Sequence, residues 1–213
     1  MVLLSTWQPA PRSPWRWMAA ARADLVRLLK SRNARTCLGV AGNVAVEFAL
    51  AAPVLMLLML ASAEMARFVI LHQKVDRVAV TTSDLVARAE TIRESELDDI
   101  FAAAEYVAQP FDLPNLGVVI VSAIINEDGE GPTVAWQRSG AGTASHTSQI
   151  GVEGGAATLS ADFEVREGET AIIAEVFYDF EPFLSELIVE PQTLYRRAHH
   201  RPRLGTLEEI GAG

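Results

Sequence analysis

Few residues in this sequence are of types and spacings that do chemistry. Of the four histidines, His72, His146, His199 and His200, two are adjacent. Neighbouring side chains on a strand point to opposite faces, so His199-His200 reads as a polar strand end and not as a metal-binding pair. Glu175 and Asp179 share one face of an expected strand, where paired carboxylates can do acid–base work. Acids at such positions are more often exposed or satisfied residues, and no Ser/His/Asp set stands out. Gly151-Val152-Glu153-Gly154-Gly155 lacks the strand-before, helix-after context and the Lys-Ser/Thr pair of a phosphate-cradling loop. With one cysteine, Cys37, neither an intramolecular disulfide nor a cysteine-rich metal site is expected. The expectation is no enzyme, no cofactor and no metal.

The spacing that carries most information is Gly42 to Glu47. It sits between two segments of opposite character. Residues 1–42 hold seven bases (Arg12, Arg16, Arg22, Arg27, Lys30, Arg32, Arg35) and one acid (Asp24), a sum of +6. The whole chain carries -9, so the remainder carries −9 − 6 = −15. An acidic body argues against nucleic-acid binding. From Phe48 to Ala63 no residue is charged. As a helix this run spans about 24 Å, and about 30 Å with Val44 to Glu47 included, one bilayer core. The bases lie on one side only, so the positive-inside rule places residues 1–42 in the cytoplasm and the acidic body outside.

Three processing signals compete at this junction. Cys37 follows Arg35-Thr36, which does not suit lipidation. Ala61-Ser62-Ala63 would serve as a signal-peptide exit after a Phe48–Leu60 core, but Glu47 and Pro53 interrupt the stretch and the preceding region is long. The third signal resembles the type IV prepilin pattern: a basic leader ending in Gly42, four residues, then Glu47 and an apolar helix. Cleavage after Gly42 would make Asn43 the new N-terminus and Glu47 its fifth residue. Glu47 would then be placed to neutralise a neighbouring subunit's amino terminus, and an acid in the first turn suits the helix dipole.

The stretch Gly42 to Arg67, with Glu47-Phe48-Ala49, Pro53, and Glu64 near Arg67, resembles the N-terminal segment of the TadE/TadG-like family. These are pilin-like proteins of bacterial tight-adherence (Flp-type) pilus systems. A second likeness lies in Gly168 to Pro182, which includes Glu175-Val176-Phe177-Tyr178-Asp179-Phe180-Glu181-Pro182, and in Tyr195-Arg196-Arg197 and Arg201-Pro202-Arg203. The resemblance implies a minor pseudopilin or assembly factor in the bacterial inner membrane, with a periplasmic C-terminal domain. The implied partners are the membrane, a prepilin peptidase and other pilin-like subunits. Gly42 and Asn43 flank the expected processing site, and Glu47 with Phe48 forms the expected assembly contact. The rivals are an unprocessed, membrane-anchored periplasmic binding module and a secreted protein cut after Ala63.

The elements that must position these residues follow from periodicity. Residues 1–42 read as a basic leader with interfacial tryptophans and an amphipathic stretch from Ala19 to Ser31; 43–71 as the transmembrane helix; 72–213 as an α+β pilin-like domain outside the membrane. One helix is expected from about 44 to 92, with Phe68, Leu71, Val75, Val78, Leu85 and Ile92 inward and Pro53 as a tolerated kink. Ser95 is the expected N-cap of a second, short helix ending near Ala108, with Leu97, Ile100, Phe101, Ala104 and Val107 as its stripe. Strands are expected at 117–125, 133–137, 161–165, 170–180 and 192–199. Asp128-Gly129 marks a hairpin and 139–155 a flexible loop. The expected product is a helix laid across an antiparallel meander.

Overall fold

The computed structural model describes residues 32–127, 131–160, 163–183 and 189–211, with side chains from Gly42 onward. The tryptophans of the leader, its amphipathic stretch and the Asp128-Gly129 turn lie outside the described residues. The chain divides into two compact units, Met1–Met59 and Leu60–Gly213.

A single helix, α1 (Arg32–Ala87), contributes to both units and runs through Pro53. It begins twelve residues before the expected start, at about 44, and ends at Ala87, not 92. The sequence offers no Gly or Pro as a stop before 92. A tertiary bond ends the helix instead: the Arg203 N–H donates to the Ala87 carbonyl at 2.9 Å. Within Gly42–Met59 the apolar side chains are exposed, with Leu50, Phe48 and Leu57 each about two-thirds bare or more. Gly42–Ala87 includes a window of mean hydropathy 2.3, long and apolar enough to cross a membrane. From Leu71 the helix is one-sided: Leu71, Val75, Val78, Ala79, Thr82, Ser83 and Val86 are buried.

The rest of the second unit is α+β. A two-residue strand β1 (Ile92–Arg93) leads into α2 (Glu94–Ala108). The cap lies two residues earlier than expected, at Arg93, whose N–H donates to the Glu96 carboxylate at 3.0 Å. The expected stripe packs as foreseen, with Leu97, Phe101 and Ala104 buried and Ile100 and Val107 against the core. A short turn of helix, α3 (Leu113–Leu116), precedes β2 (Gly117–Ile125). Then follow β3 (Thr133–Gly140), β4 (Thr170–Phe180), β5 (Gln192–His200) and β6 (Ile210–Gly211).

The large sheet is antiparallel, but it is not a meander. Its order is β3-β2-β4-β5. β2 and β4 are the two apolar strands and both are buried along nearly their whole length. They pair in the centre, from Gly117 opposite Tyr178 to Ile125 opposite Thr170. The more polar β3 and β5 take the edges, where one face or side can meet water. On the inner face Val119, Val121, Ile172, Ala174, Val176, Tyr178 and Phe180 form one core with α1 and α2. The outer face carries Ile124, Ile173, Val118, Ile120 and Phe177.

That apolar outer face explains residues 141–160 and 163–169. The expected strand at 161–165 is not formed among its described residues, 163–165. The expected flexible loop is a packed cover: Ile150 and Val165 are buried against Val134, Ile124 and Ile173, and Ala144 lies against Phe177. The crossing begins at Gly142, whose backbone is pressed on Gly117. A Cβ there would stand 2.0 Å from the Gly117 carbonyl oxygen. The C-terminal tail also folds back, with Trp136 Nε1 donating to the Leu207 carbonyl at 2.8 Å and β6 pairing in parallel with β1.

Gly142→Ala should therefore destabilise the folded domain by at least about 2 kcal/mol, because backbone on both sides leaves no room to yield. Urea unfolding of the full chain in detergent, followed by near-ultraviolet circular dichroism, checks this.

Candidate functional site

Three groups of polar residues stand apart from ordinary surface. The first is on the apolar part of α1. Gly42 has a helical backbone, and nothing lies within 4 Å of where its Cβ would be. Neither packing nor conformation requires glycine there. The next residue, Asn43, donates through Nδ2 to Glu47 Oε1, one turn further on, at 3.1 Å across an exposed helix surface. Phe48 beside it is 67% exposed. The structure thus places Gly42, Asn43, Glu47 and Phe48 on consecutive turns of an open helix, with Asn43 and Glu47 in direct contact.

The second group sits where α1 joins the domain. Glu64 is a helix carboxylate only 2% exposed. Its position follows from spacing: 64, 68, 71 and 75 lie on one face, so Glu64 continues the inward stripe begun by Leu71 and Val75. Its Oε1 accepts from the Phe183 backbone N–H at 3.1 Å and from Arg67 Nη1 at 3.4 Å. The same Nη1 donates to the Glu181 carbonyl at 3.2 Å, and the guanidinium lies over the Phe180 ring, 5.4 Å from its centre. Glu64 and Arg67 therefore fasten the end of β4 to the helix. Phe68 packs edge-on against Phe180 alongside, with centroids 5.0 Å apart.

The third group lies on the outer face of the sheet. Glu175 is fully buried and accepts from Gln149 N at 2.9 Å, Tyr195 Oη at 2.8 Å and the Ser148 hydroxyl. Burial, with the carboxylate as second cause, pushes the Tyr195 phenol up. Two residues along the strand face, Phe177 stacks on His146 at 5.0 Å. His146 Nε2 bonds the Asp179 carboxylate at 3.0 Å, and Thr193 Oγ1 donates to it at 2.7 Å. For Asp179, burial alone would raise the pKa, but bonds from Thr193 and His146 outweigh it, and the net shift is downward. The two carboxylates share a face, as expected, yet each has its own donors. Ser148 donates to Glu175 and not to His146, so no nucleophile–base pair forms. The network clamps the 141–160 cover onto the sheet. Sequence reading missed it because its donors come from a segment without periodicity.

The adjacent histidines point to opposite faces. His200 Nδ1 lies 2.8 Å from Ser83 Oγ on the α1 side, and His199 packs on Phe163 on the outer side. No cluster of three or more metal-ligating side chains occurs among the described residues. Burial, then the nearby cations His200, Arg197 and Arg201, holds His199 below its ordinary value of 6.5.

Two measurements follow. Glu64→Ala strands the Phe183 N–H and should cost about 1–3 kcal/mol of domain stability, whereas Glu64→Gln keeps an acceptor and should cost less. For His199 the folded state binds its proton less readily than the unfolded chain. Stability should then fall as pH drops below 6.5 and towards the lower folded value. His199→Phe, which keeps the ring on Phe163, should flatten that part of a pH–stability profile.

Comparison with known proteins bears on the first two groups. No curated protein and no solved structure matches the chain. Residues 42–82 match the family model TadE, described as TadE-like protein. The match contains Gly42, Asn43, Glu47, Phe48, Glu64 and Arg67, and ends before the C-terminal strands. The helix that bears both the open Gly42–Glu47 turn and the Glu64–Arg67 fastening is the part of the chain that is similar to the TadE-like family.

Proposed function

We propose that the protein is a membrane-anchored, structural component of a tight-adherence pilus, a TadE-like minor pseudopilin or assembly factor of the bacterial inner membrane. The observation that carries this reading is the helix Gly42–Met59. It exposes its apolar side chains with a single carboxylate, Glu47, one turn after an unconstrained glycine. A glycine inside a helix costs about 1 kcal/mol relative to alanine. Gly42 carries that cost without a steric or conformational return, which supports a requirement imposed from outside the fold, such as recognition by a prepilin peptidase.

On this reading the basic residues 1–42 stay in the cytoplasm, the apolar helix that follows crosses the membrane, and the domain that Glu64 and Arg67 fasten to it is periplasmic. Cleavage after Gly42 frees the Asn43 amino group. Glu47 then pairs with the amino terminus of a neighbouring pilin-like subunit, while Phe48 and the apolar turns beyond it supply the lateral contact. The domain takes no part in catalysis: its buried carboxylate serves to hold the cover on the sheet.

A second reading is favoured by one observation. α1 passes from Arg32 through Gly42 without a break in the helix. An uncut chain would present the same domain as an anchored module that binds an envelope or secretion partner.

The mature N-terminus in the native host separates the readings. Sequencing should find Asn43, and Gly42→Ala should abolish maturation while leaving the domain as stable as before. A start at Glu64 would show a secreted protein cut after Ala63, and an intact leader would favour the anchored module. Normal processing of Gly42→Ala would remove the cleavage assignment.

A further inference from the structure

The exit of α1 carries an exposed aromatic that the anchor alone does not require. Glu64, the first charge after the apolar run, is turned into the domain and satisfied there. On the outward side the helix stays apolar: Ala63, Met65, Ala66, Val69 and Ile70 are exposed, and exposed polar side chains resume only at Gln73, Asp76 and Arg77. The apolar outer surface therefore extends past Glu64 to Ile70, about 9 Å further at roughly 1.5 Å per residue. Phe183, on the connection after β4, has its N–H on Glu64 Oε1. Its backbone thus lies at the level of Glu64, below the top of that surface. Its ring is 83% exposed. Next to it Arg67, 37% exposed, is tied to Glu181.

The orientation of β4 agrees. Phe180, at its end, packs on Phe68. Ile172, near its start, pairs with His200, which meets Ser83, about four turns further along α1 at roughly 3.6 residues per turn. The strand thus runs back along the helix, and Phe183 lies just beyond the strand end nearest Glu64. The opposite end of the sheet carries Val152, whose neighbour Gly154 bonds Val134, opposite Ile124 and hence near Ala171.

We propose that Phe183 is a second membrane contact: its ring enters the headgroup–acyl boundary beside α1, with Arg67 at the level of the lipid phosphates. The occupant of this surface is the bilayer. An aromatic ring and an Arg stem are the side chains that suit this depth, where an apolar body meets a wet, anionic layer. Lipid is argued over a protein partner by continuity, because the exposed helix residues Ala63, Met65, Ala66, Val69 and Ile70 carry an apolar surface past Phe183, with Ser62 and the tethered Arg67 as its polar members. The contact would fix the domain against the membrane at two points. It rests on the membrane-anchor reading.

The test uses the full chain with Cys37→Ser and either Phe183→Cys or Val152→Cys, labelled with the environment-sensitive dye NBD. The proteins are reconstituted into phosphatidylethanolamine/phosphatidylglycerol vesicles. Both positions are exposed, so neither change burdens folding. NBD at 183 should emit to the blue of NBD at 152, and lipids with a nitroxide high on the acyl chain should quench it severalfold more. A water-like spectrum at 183 in chains that remain in the vesicles overturns the proposal and leaves the anchor intact. Protection at 183 that grows with the protein-to-lipid ratio also overturns it, since a second copy would then be the occupant. Chains that do not stay with the vesicles remove the anchor reading itself, and this contact with it.

Discussion

One helix has to satisfy two environments, and the structure is organised by where it changes from one to the other. Through Gly42–Met59, α1 exposes apolar side chains on every side, which is stable only where no water demands otherwise. From Leu71 it has an inward stripe that fits a sheet. The change is made by Glu64 and Arg67. A carboxylate and a guanidinium at three-residue spacing would be a weak pair on an open surface. Here the carboxylate is buried and shares its oxygen with a backbone N–H from the end of β4. Removal of the carboxylate leaves the Phe183 N–H without its acceptor, while removal of the guanidinium leaves the buried carboxylate with the N–H alone. The pair is therefore better understood as a fastening between helix and strand than as an ion pair.

The sheet follows from the same economy of exposed apolar surface. α1 and α2 cover only one face of β2 and β4, whose outer faces still hold Ile124, Ile173 and Phe177. With no second helix layer there among the described residues, the chain covers that face with 141–160 and 163–169. This is also why β4 lands beside β2 and not beside β3: the connection has to cross the outer face before the next strand begins. A cover without regular structure leaves backbone and side-chain polar groups to be satisfied singly. Glu175 meets three such donors from the cover and β5, and Asp179 holds His146. A buried carboxylate that resembles a catalytic group is, in this setting, a clamp.

What was legible in the sequence divides along the same line. The bounds of β2 and β4 could be read directly, because both are runs of β-branched and aromatic residues ended by Gly, Asn or Pro. The opposed faces of His199 and His200 follow from strand alternation alone. The strand order could not be read, since periodicity reports burial and not neighbours. Nor could the cover: Ser139–Gly155 has the composition of a free loop, and only the two-sided burial of β2 and β4 shows that something must lie over them. The end of α1 at Ala87 was hidden because its stop is a bond from Arg203, more than a hundred residues away. The open turn at Gly42–Glu47 was visible because its signal is local.

The chain places two acids at the margins of its apolar helix and treats them differently. Glu64 is supplied from within, by a backbone N–H and a guanidinium of its own domain. Glu47 meets only a neutral amide, Asn43, among its described contacts. A carboxylate in an apolar surrounding gains little from one amide against the cost of leaving water. Both acids could have been replaced by apolar residues without harm to the helix. Glu64 is kept by a partner already in the fold. Glu47 has no such partner among the described residues, which accords with the proposal that a positive group arrives from elsewhere. On the proposed reading, the amino terminus that cleavage after Gly42 would create on an adjacent pilin-like subunit has the charge to be that group.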